Sequence, residues 1–163
     1  MIFITLGSQK FQFNGLLQAV DELVEKGVIN EEVFAQIGYS DYKPRNYRYK
    51  EFLDREEFAE QETKCDILIT HGGTGAIMGA VKKGKKVIAV PRLAKYKEHV
   101  DDHQLQLIEQ FKNQNLICGL SDCSELEEGL SFVKGHEFNS YKSNTESIIS
   151  SIDMFIDSTN NDI

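Results

Sequence analysis

The sequence predicts an α/β fold, a Rossmann-like parallel sheet with helices on both faces, and three observations predict it. Met1 to Leu6, Asp66 to Thr70 and Val87 to Val90 are apolar runs of strand length without polar alternation, the pattern of strands buried on both faces. Segments with helical spacing of apolar residues lie between such runs, as crossover connections require. Glycine or proline then stops the runs, at Gly7, Gly38 and Pro91.

Taken in order, Met1 to Leu6 reads as a buried strand ended by Gly7. Leu16, Leu17, Val20, Leu23 and Val24 recur at helical spacing, with Gly27 where a helix through Lys26 would end. Val33 to Ile37 reads as a second strand and Asn46 to Phe52 as a weaker third. Asp54 to Glu62 is acidic at its start, as a helix N-terminus favours. Asp66 to Thr70 is a buried strand that runs into His71-Gly72-Gly73-Thr74-Gly75, followed by a short helix from Ala76 to Lys83 closed by Gly84. Val87 to Val90 is a strand cut off by Pro91, and Leu105 to Phe111 is helical. Leu116 to Leu120 reads as a last strand and Glu125 to Val133 as a helix. Ile148, Ile149, Ile152, Phe155 and Ile156 form one more apolar stripe. The expected organisation is a single domain over residues 1–156 and a frayed polar tail over 157–163.

At 163 residues the chain has the length of one domain, taking roughly 150 residues per domain. Hydrophobic residues at 40% and charged residues at 27% suit a globular core, in line with a mean hydropathy of −0.37. The net charge of −8 disfavours nonspecific binding to nucleic acid or to an anionic bilayer, both of which reward clustered Lys and Arg. No apolar run reaches the ~18 to 20 residues of a membrane span, and the first strand has neither a basic leader nor a small-residue cleavage site. The expectation is a cytoplasmic protein that needs a partner for any work at a membrane. Cys65, Cys118 and Cys123 lack paired spacing, so reduced, partly buried thiols are expected instead of a disulfide framework or a zinc site.

In a doubly wound sheet the ligand lies beyond the carboxyl ends of the strands. Gly7-Ser8-Gln9, the His71 to Gly75 loop and the Pro91 to Gln104 loop occupy those ends. The glycines let backbone approach a ligand closely, and Thr74, Gly75 and Ala76 would present free amides at a helix start, a plausible diphosphate site. Such a helix end contributes about 0.3 to 1 kcal/mol, so direct hydrogen bonds must supply most of the affinity. The polar run Glu98 to Gln104 exceeds what helix capping requires. Asp101 or Asp102 can be a simple N-cap, or the run can hold the hydroxyls of a polar ligand. Arg92 is then a further candidate for anion contact, against the default of a surface Arg.

Two motif matches fail. Gly79 to Lys86 approximates a phosphate loop, but Lys86 stands where Ser or Thr should hold magnesium and the segment runs from helix into strand. Lys82, Lys83, Lys85 and Lys86 are expected to be a solvated turn. His99 and His103 stand four apart, but Val100 occupies the place of the Glu that a zinc protease uses as base.

The ordered set Thr5-Leu6-Gly7-Ser8 with Phe13, Gln36 to Ser40, Cys65 to Gly75, Gly84-Lys85, Val90-Pro91-Arg92, Glu98-His99 and Asp102-His103-Gln104 resembles a known family. It is similar to the C-terminal, donor-binding half of GT-B glycosyltransferases of family 28, and most of all to small bacterial exopolysaccharide and capsule transferase subunits akin to the eukaryotic Alg13 subunit. The resemblance covers about residues 1–120 and rests on the pieces jointly. It implies a UDP-sugar donor, no cofactor and no catalytic metal, inversion at the anomeric carbon, and half an enzyme. A membrane-anchored, Alg14-like subunit would supply the other half and hold the chain at the inner face of the membrane. A lipid-linked saccharide would be the acceptor.

Carried over by residue, the resemblance implies that Gly7 and Ser8 border the cleft and that the backbone of Gly72, Gly73, Thr74 and Gly75 holds the diphosphate. Asp102 and Gln104 would contact sugar hydroxyls, with His103 nearby and Arg92 as the added anion contact. The candidate bases are Glu98, then His99 and His71, although in such enzymes the base often lies in the acceptor half; His71 can instead be a structural hydrogen-bonder. There is a departure. Many such domains carry a ribose-binding Glu on the helix after the glycine loop, and the aligned residue here is Gly79. The expected function is transfer of a hexose, with galactose as the candidate, to a polyprenyl-diphosphate-linked saccharide in exopolysaccharide or capsule synthesis. The alternatives are a non-catalytic stabilising or regulatory subunit, which Gly79 favours, and a UDP-sugar epimerase-like enzyme.

Overall fold

A computed structural model describes residues 1–100 and 103–141. The stripe from Ile148 to Ile156 and the expected tail lie outside the described residues, as do Asp101 and Asp102. The elements run β1 (Ile2–Thr5), α1 (Asn14–Glu25), β2 (Val33–Gln36), β3 (Arg48–Lys50), α2 (Arg55–Lys64), β4 (Ile67–Thr70), α3 (Thr74–Lys82), β5 (Lys86–Ala89), α4 (His103–Asn113), β6 (Cys118–Gly119) and α5 (Leu126–Gly135). Short 3-10 turns stand at Ala94–Tyr96 and Cys123–Glu125.

The described strands form one parallel sheet in the order β3-β2-β1-β4-β5-β6. The chain winds outward from β1 to β3, then crosses back so that β4 pairs with the other side of β1, with Ile2 opposite Ile67 and Thr5 opposite Thr70. The switch point therefore lies between the carboxyl ends of β1 and β4, where a doubly wound fold opens a crevice.

Alternation along the strands builds two cores, because successive side chains point to opposite faces. Ile2, Ile4, Ile67, Ile69 and Ile88 join Leu16, Leu17 and Val20 of α1 and Leu130 and Val133 of α5 on one face. Phe3, Leu68, Val87 and Ala89 meet Ile77, Ala80 and Val81 of α3 and Ile108 of α4 on the other, with Phe58 of α2 packed against them. Burying an aliphatic or aromatic side chain of this size contributes about 1.5–3 kcal/mol.

Three helices, α1, α3 and α4, start two residues before the sequence reading places them, whereas α2 starts where its cap predicts. Asp54 caps α2 through a capping box, accepting the Glu57 amide at 2.8 Å while the Glu57 carboxylate accepts the Asp54 amide. α3 starts at Thr74, two residues before the expected Ala76, so the helix begins inside the glycine loop. The cysteines are free thiols, with Cys65 and Cys118 buried.

The lysine-rich turn is more than a solvated turn. Lys85 Nζ donates to the carbonyls of Thr63 and Cys65 at 2.7 and 2.8 Å, satisfying oxygens at the end of α2. Lys86 donates to the carbonyls of Val133 and Lys134 at the end of α5, and Lys83 pairs with buried Glu62. These three ammoniums meet the negative end of a helix or a buried carboxylate, and the Lys82 ammonium lies over the Tyr141 ring, 5.2 Å from its centre, partners that a linear lysine pattern does not display.

Candidate functional site

A cleft of about 480 Å³ opens at the switch point, between α2 and α3 and above the ends of β1 and β2. Thr5, Gly7 and Ser8 form one side, Gly75, Ala76 and Gly79 of α3 another, and Asp54, Arg55, Phe58 and Glu62 of α2 the facing wall. Gln36 and Leu53 close it, with Gln36 Oε1 accepting the Leu53 amide at 3.1 Å.

The glycine loop gives this cleft its electrostatic character. Ile77 makes the first intrahelical bond, to the carbonyl of Gly73 at 3.2 Å, so the amides of Thr74, Gly75 and Ala76 precede it at the positive end of α3. No acidic side chain stands in that first turn. Gly7 and Ser8 line one side of the cleft and Gly75 another, while Gly73 caps α3 and Thr74 opens it; of the four loop residues expected at a diphosphate, Gly75 is the one that borders the cleft.

His71 and Gln104 fix the shape of that loop. The buried His71 ring fills the space between two strand-end loops: a β-carbon at Gly73 would lie 2.4 Å from its Nε2, and one at Gly7 would lie 2.8 Å from its Cε1. Gly7 also holds φ of +71°, a conformation that a side chain disfavours. Burial lowers the His71 pKa to about 4, aided by the charge of Arg92, which leaves a neutral ring and a weak base near pH 7. Buried Gln104 accepts the amides of Gly72 at 3.2 Å and Arg92 at 3.0 Å through one oxygen. His103 stands exposed as the first residue of α4, and Asp102 lies outside the described residues.

Arg92 departs from the surface default, being 1% exposed. Its Nη2 donates to the carbonyls of Leu6 at 2.8 Å and Phe11 at 3.2 Å, and its guanidinium lies 5.5 Å from the Phe13 ring centre. Among the described residues its Nε and Nη1 have no hydrogen-bond partner. Burial lowers its pKa to about 10, against the opposing pull of Glu98. Arg92 thus clamps the loop between β1 and α1 and does not line the cleft.

Glu98 lies apart from the switch-point cleft. It lines a separate cavity with Gln12, Asn14, Gly15, Tyr96, Asp122 and Cys123, on the α1 side of the sheet. Its Oε2 accepts the Leu93 amide at 3.1 Å, and burial raises its pKa. Burial, Glu98 and Asp122 push the thiol of Cys123 in the same cavity up to about 12. His99 packs its ring against Phe11, centres 4.6 Å apart. The candidate bases are therefore held near the strand ends, and none of the three lines the switch-point cleft.

The sequence reading missed Gln36, Phe58 and Glu62 in the cleft. Glu62 sits in an acidic helix that reads as a solvated face, and only its spacing of four from Phe58 points it toward the same wall. Among the described residues no group of three His, Cys, Asp or Glu side chains could hold a metal ion, and no helix is long and apolar enough to cross a membrane.

Comparison with known proteins agrees with this geometry. The model of the glycosyltransferase family 28 C-terminal domain matches residues 1–153. The mouse UDP-N-acetylglucosamine transferase subunit ALG13 is 24% identical over 128 residues, covering 69% of this chain and 10% of that protein. Among solved structures, MurG of Acinetobacter baumannii superposes with a TM-score of 0.58 at 17% identity, covering 82% of this chain and 41% of that one. The glycosyltransferase SnogD of Streptomyces nogalater gives 0.57 at 19% identity, covering 81% and 34%, and the glycotransferase of kitacinnamycin gives 0.59 at 17%, covering 83% and 35%. These structures share the fold, and the chain spans a minor part of each relative's length. With the match running through the β1 end, the glycine loop and the Gln104 loop alike, the chain belongs to the glycosyltransferase family 28 C-terminal domain family.

Proposed function

We propose that this chain is the donor-binding, catalytic subunit of an inverting glycosyltransferase that takes its sugar from a UDP-sugar and passes it to a polyprenyl-diphosphate-linked saccharide. The observation that carries the reading is the switch-point cleft bordered by Gly75 and Ala76 in the first turn of α3, whose amides precede the first intrahelical bond. That wall suits a diphosphate without a metal cofactor, because fixed N–H groups and the helix end meet its charge. The mouse relative is named as a UDP-N-acetylglucosamine transferase subunit, which supports both a UDP-sugar donor and a divided enzyme.

Inversion needs an acceptor hydroxyl, deprotonated as it attacks the sugar opposite the departing UDP. In this chain His71 is packed under the loop with its pKa lowered to about 4, and Glu98 lines a different cavity. The base in this reading belongs to a second, membrane-anchored subunit that also presents the acceptor and holds this chain at the cytoplasmic face. The product would be a lipid-linked intermediate of a surface polysaccharide such as an exopolysaccharide or capsule.

The test is co-expression of the full chain with its membrane partner and a screen of UDP-glucose, UDP-galactose and UDP-N-acetylglucosamine against lipid-linked acceptors, with and without chelator. Transfer from one donor, unaffected by chelator, is expected. A formed complex that transfers from none overturns the reading.

A further inference from the structure

We propose that Glu62 is the hydroxyl-binding residue of the donor cleft, gripping the vicinal diol of the nucleotide's ribose from the α2 wall. This rests on the donor-site reading above. Three observations lead to it. Glu62 lines the cleft although its residue is only 5% exposed, and a buried carboxylate is an acceptor that requires donors. Among the described residues its partner is Lys83, which donates to Oε2. Its other oxygen, Oε1, lies beside Gly79 across the groove: a β-carbon at position 79 would stand 3.2 Å from it. Gly79 also lines the cleft, so the missing side chain leaves this oxygen open to a ligand.

Two neighbouring oxygens are already engaged. Gln36 Oε1 accepts the Leu53 amide, and Asp54 Oδ1 accepts the Glu57 amide. Glu62 Oε1 is a buried carboxylate oxygen beside Gly79, whereas Asp54, the other carboxylate of the lining, is exposed. The depth of Oε1 fits a nucleoside diphosphate. From Gly75, at the amide end of α3, to Gly79 is one helical turn, about 6 Å at ~1.5 Å per residue. A diphosphate at the amides would thus bring the ribose edge to Glu62, with Phe58 as the apolar wall beside it. The Lys83 ammonium offsets the carboxylate charge, so the pair offers a strong acceptor without repelling an anionic ligand.

Ligand-observed NMR on the full chain with UDP, 2′-deoxy-UDP and 2′,3′-dideoxy-UDP tests the assignment. Wild type is expected to prefer UDP over the dideoxy compound by about tenfold or more, the scale of a hydrogen bond to a charged group. Glu62→Gln should lose about that factor for UDP and keep the dideoxy affinity. Lys83→Met should keep the preference if Glu62 acts on the ligand, and lose it if only the ion pair matters. The double variant Glu62→Ala, Gly79→Glu delivers a carboxylate from the opposite wall and should regain the preference. Thermal melts confirm that each variant is folded. Glu62→Gln binding UDP as wild type does, or losing UDP and dideoxy-UDP alike, overturns the Glu62 role and leaves the donor site standing. Absence of UDP binding by wild type overturns the donor site and the Glu62 role together.

Discussion

The carboxamide oxygen of Gln104 accepts the backbone amide of Gly72 at 3.2 Å, and Gly72 can stand this close because it lacks a side chain. A β-carbon there would lie 2.6 Å from Gln104 Cβ. The same oxygen accepts the Arg92 amide at 3.0 Å, so one residue of α4 ties together the loops that follow β4 and β5. The sequence reading gives Gln104 a sugar contact, whereas in the structure this oxygen is committed to backbone.

Gln104→Ala leaves both amides without that acceptor, and an unpaired buried donor costs about 1–3 kcal/mol. Urea unfolding should therefore show a clear loss of stability, together with weaker UDP binding as the glycine loop loosens. A variant as stable as wild type would remove the loop-tying role.

Two glycines of one loop should respond oppositely to alanine. At Gly73 the added methyl would stand 2.4 Å from His71 Nε2, an edge of the ring that Gly7 already approaches closely from the first strand-end loop. Overpacking of this kind costs about 1–3 kcal/mol. Gly75 has nothing within 4 Å of the added carbon and sits in the first turn of α3, so alanine there should be neutral or gain up to about 1 kcal/mol of helix propensity. Paired thermal melts check the contrast, and equal melting temperatures would refute it.

His71 should give the fold a specific acid sensitivity. Its folded pKa of about 4 lies below the ordinary 6.5, chiefly through burial. The unfolded chain therefore takes up the proton first, and stability present above pH 6.5 is lost as pH falls toward 4. At ~1.36 kcal/mol per pKa unit the loss is about 3 kcal/mol. His71→Phe keeps a ring between Gly7 and Gly73 without the titration. The stability gap between wild type and variant should narrow from pH 7 to pH 4, and a gap independent of pH would exclude His71 as its source.

Asp21→Asn probes a residue that looks like part of a solvated helix face. Its carboxylate accepts the Tyr42 hydroxyl at 2.6 Å and the amides of Arg45 and Asn46 at 2.9 and 2.8 Å, pinning the segment before β3 to α1. Burial pushes its pKa up, but these bonds outweigh burial and hold it below the usual range. Its contribution is present above about pH 3.8 and lost as pH falls through the folded pKa. Asn would turn an NH₂ toward one of these donors, at about 1.5–3 kcal/mol for each charged hydrogen bond lost. Denaturation across a pH series from 7 downward should show the deficit shrinking once pH falls below about 3.8, and a deficit independent of pH would exclude the carboxylate as its source.

Asp21 and Glu62 show where sequence reading stops. The strands were legible because Ile2, Ile4, Ile67 and Ile69 must be buried wherever they sit, and the glycine loop because it separates strand from helix. A polar side chain on an amphipathic helix reads the same whether water or a distant loop is its partner. Asp21 binds residues 21 to 25 positions away, Lys83 reaches Glu62 across 21, and Arg92 holds carbonyls 86 and 81 positions back. Backbone partners have no sequence signature, so the second layer of the site became visible only in three dimensions.

Glu98→Gln separates a structural carboxyl from a chemical one. Burial raises the Glu98 pKa above the ordinary 4.5, with the Leu93 amide and Arg92 pulling it down without overcoming burial. Such a carboxyl contributes stability below pH 4.5 that is lost as pH rises through the folded pKa. Gln keeps an oxygen for the Leu93 amide and carries no charge to bury, so its stability relative to wild type should improve from pH 4.5 toward neutrality. Glu98 lines the cavity on the α1 side and not the switch-point cleft proposed to bind the donor, so UDP affinity should be unchanged. Transfer by the assembled enzyme should also persist, because the proposed base belongs to the partner. Loss of transfer by more than a hundredfold, with UDP affinity and folding intact, would instead make Glu98 the base and return that role to this chain.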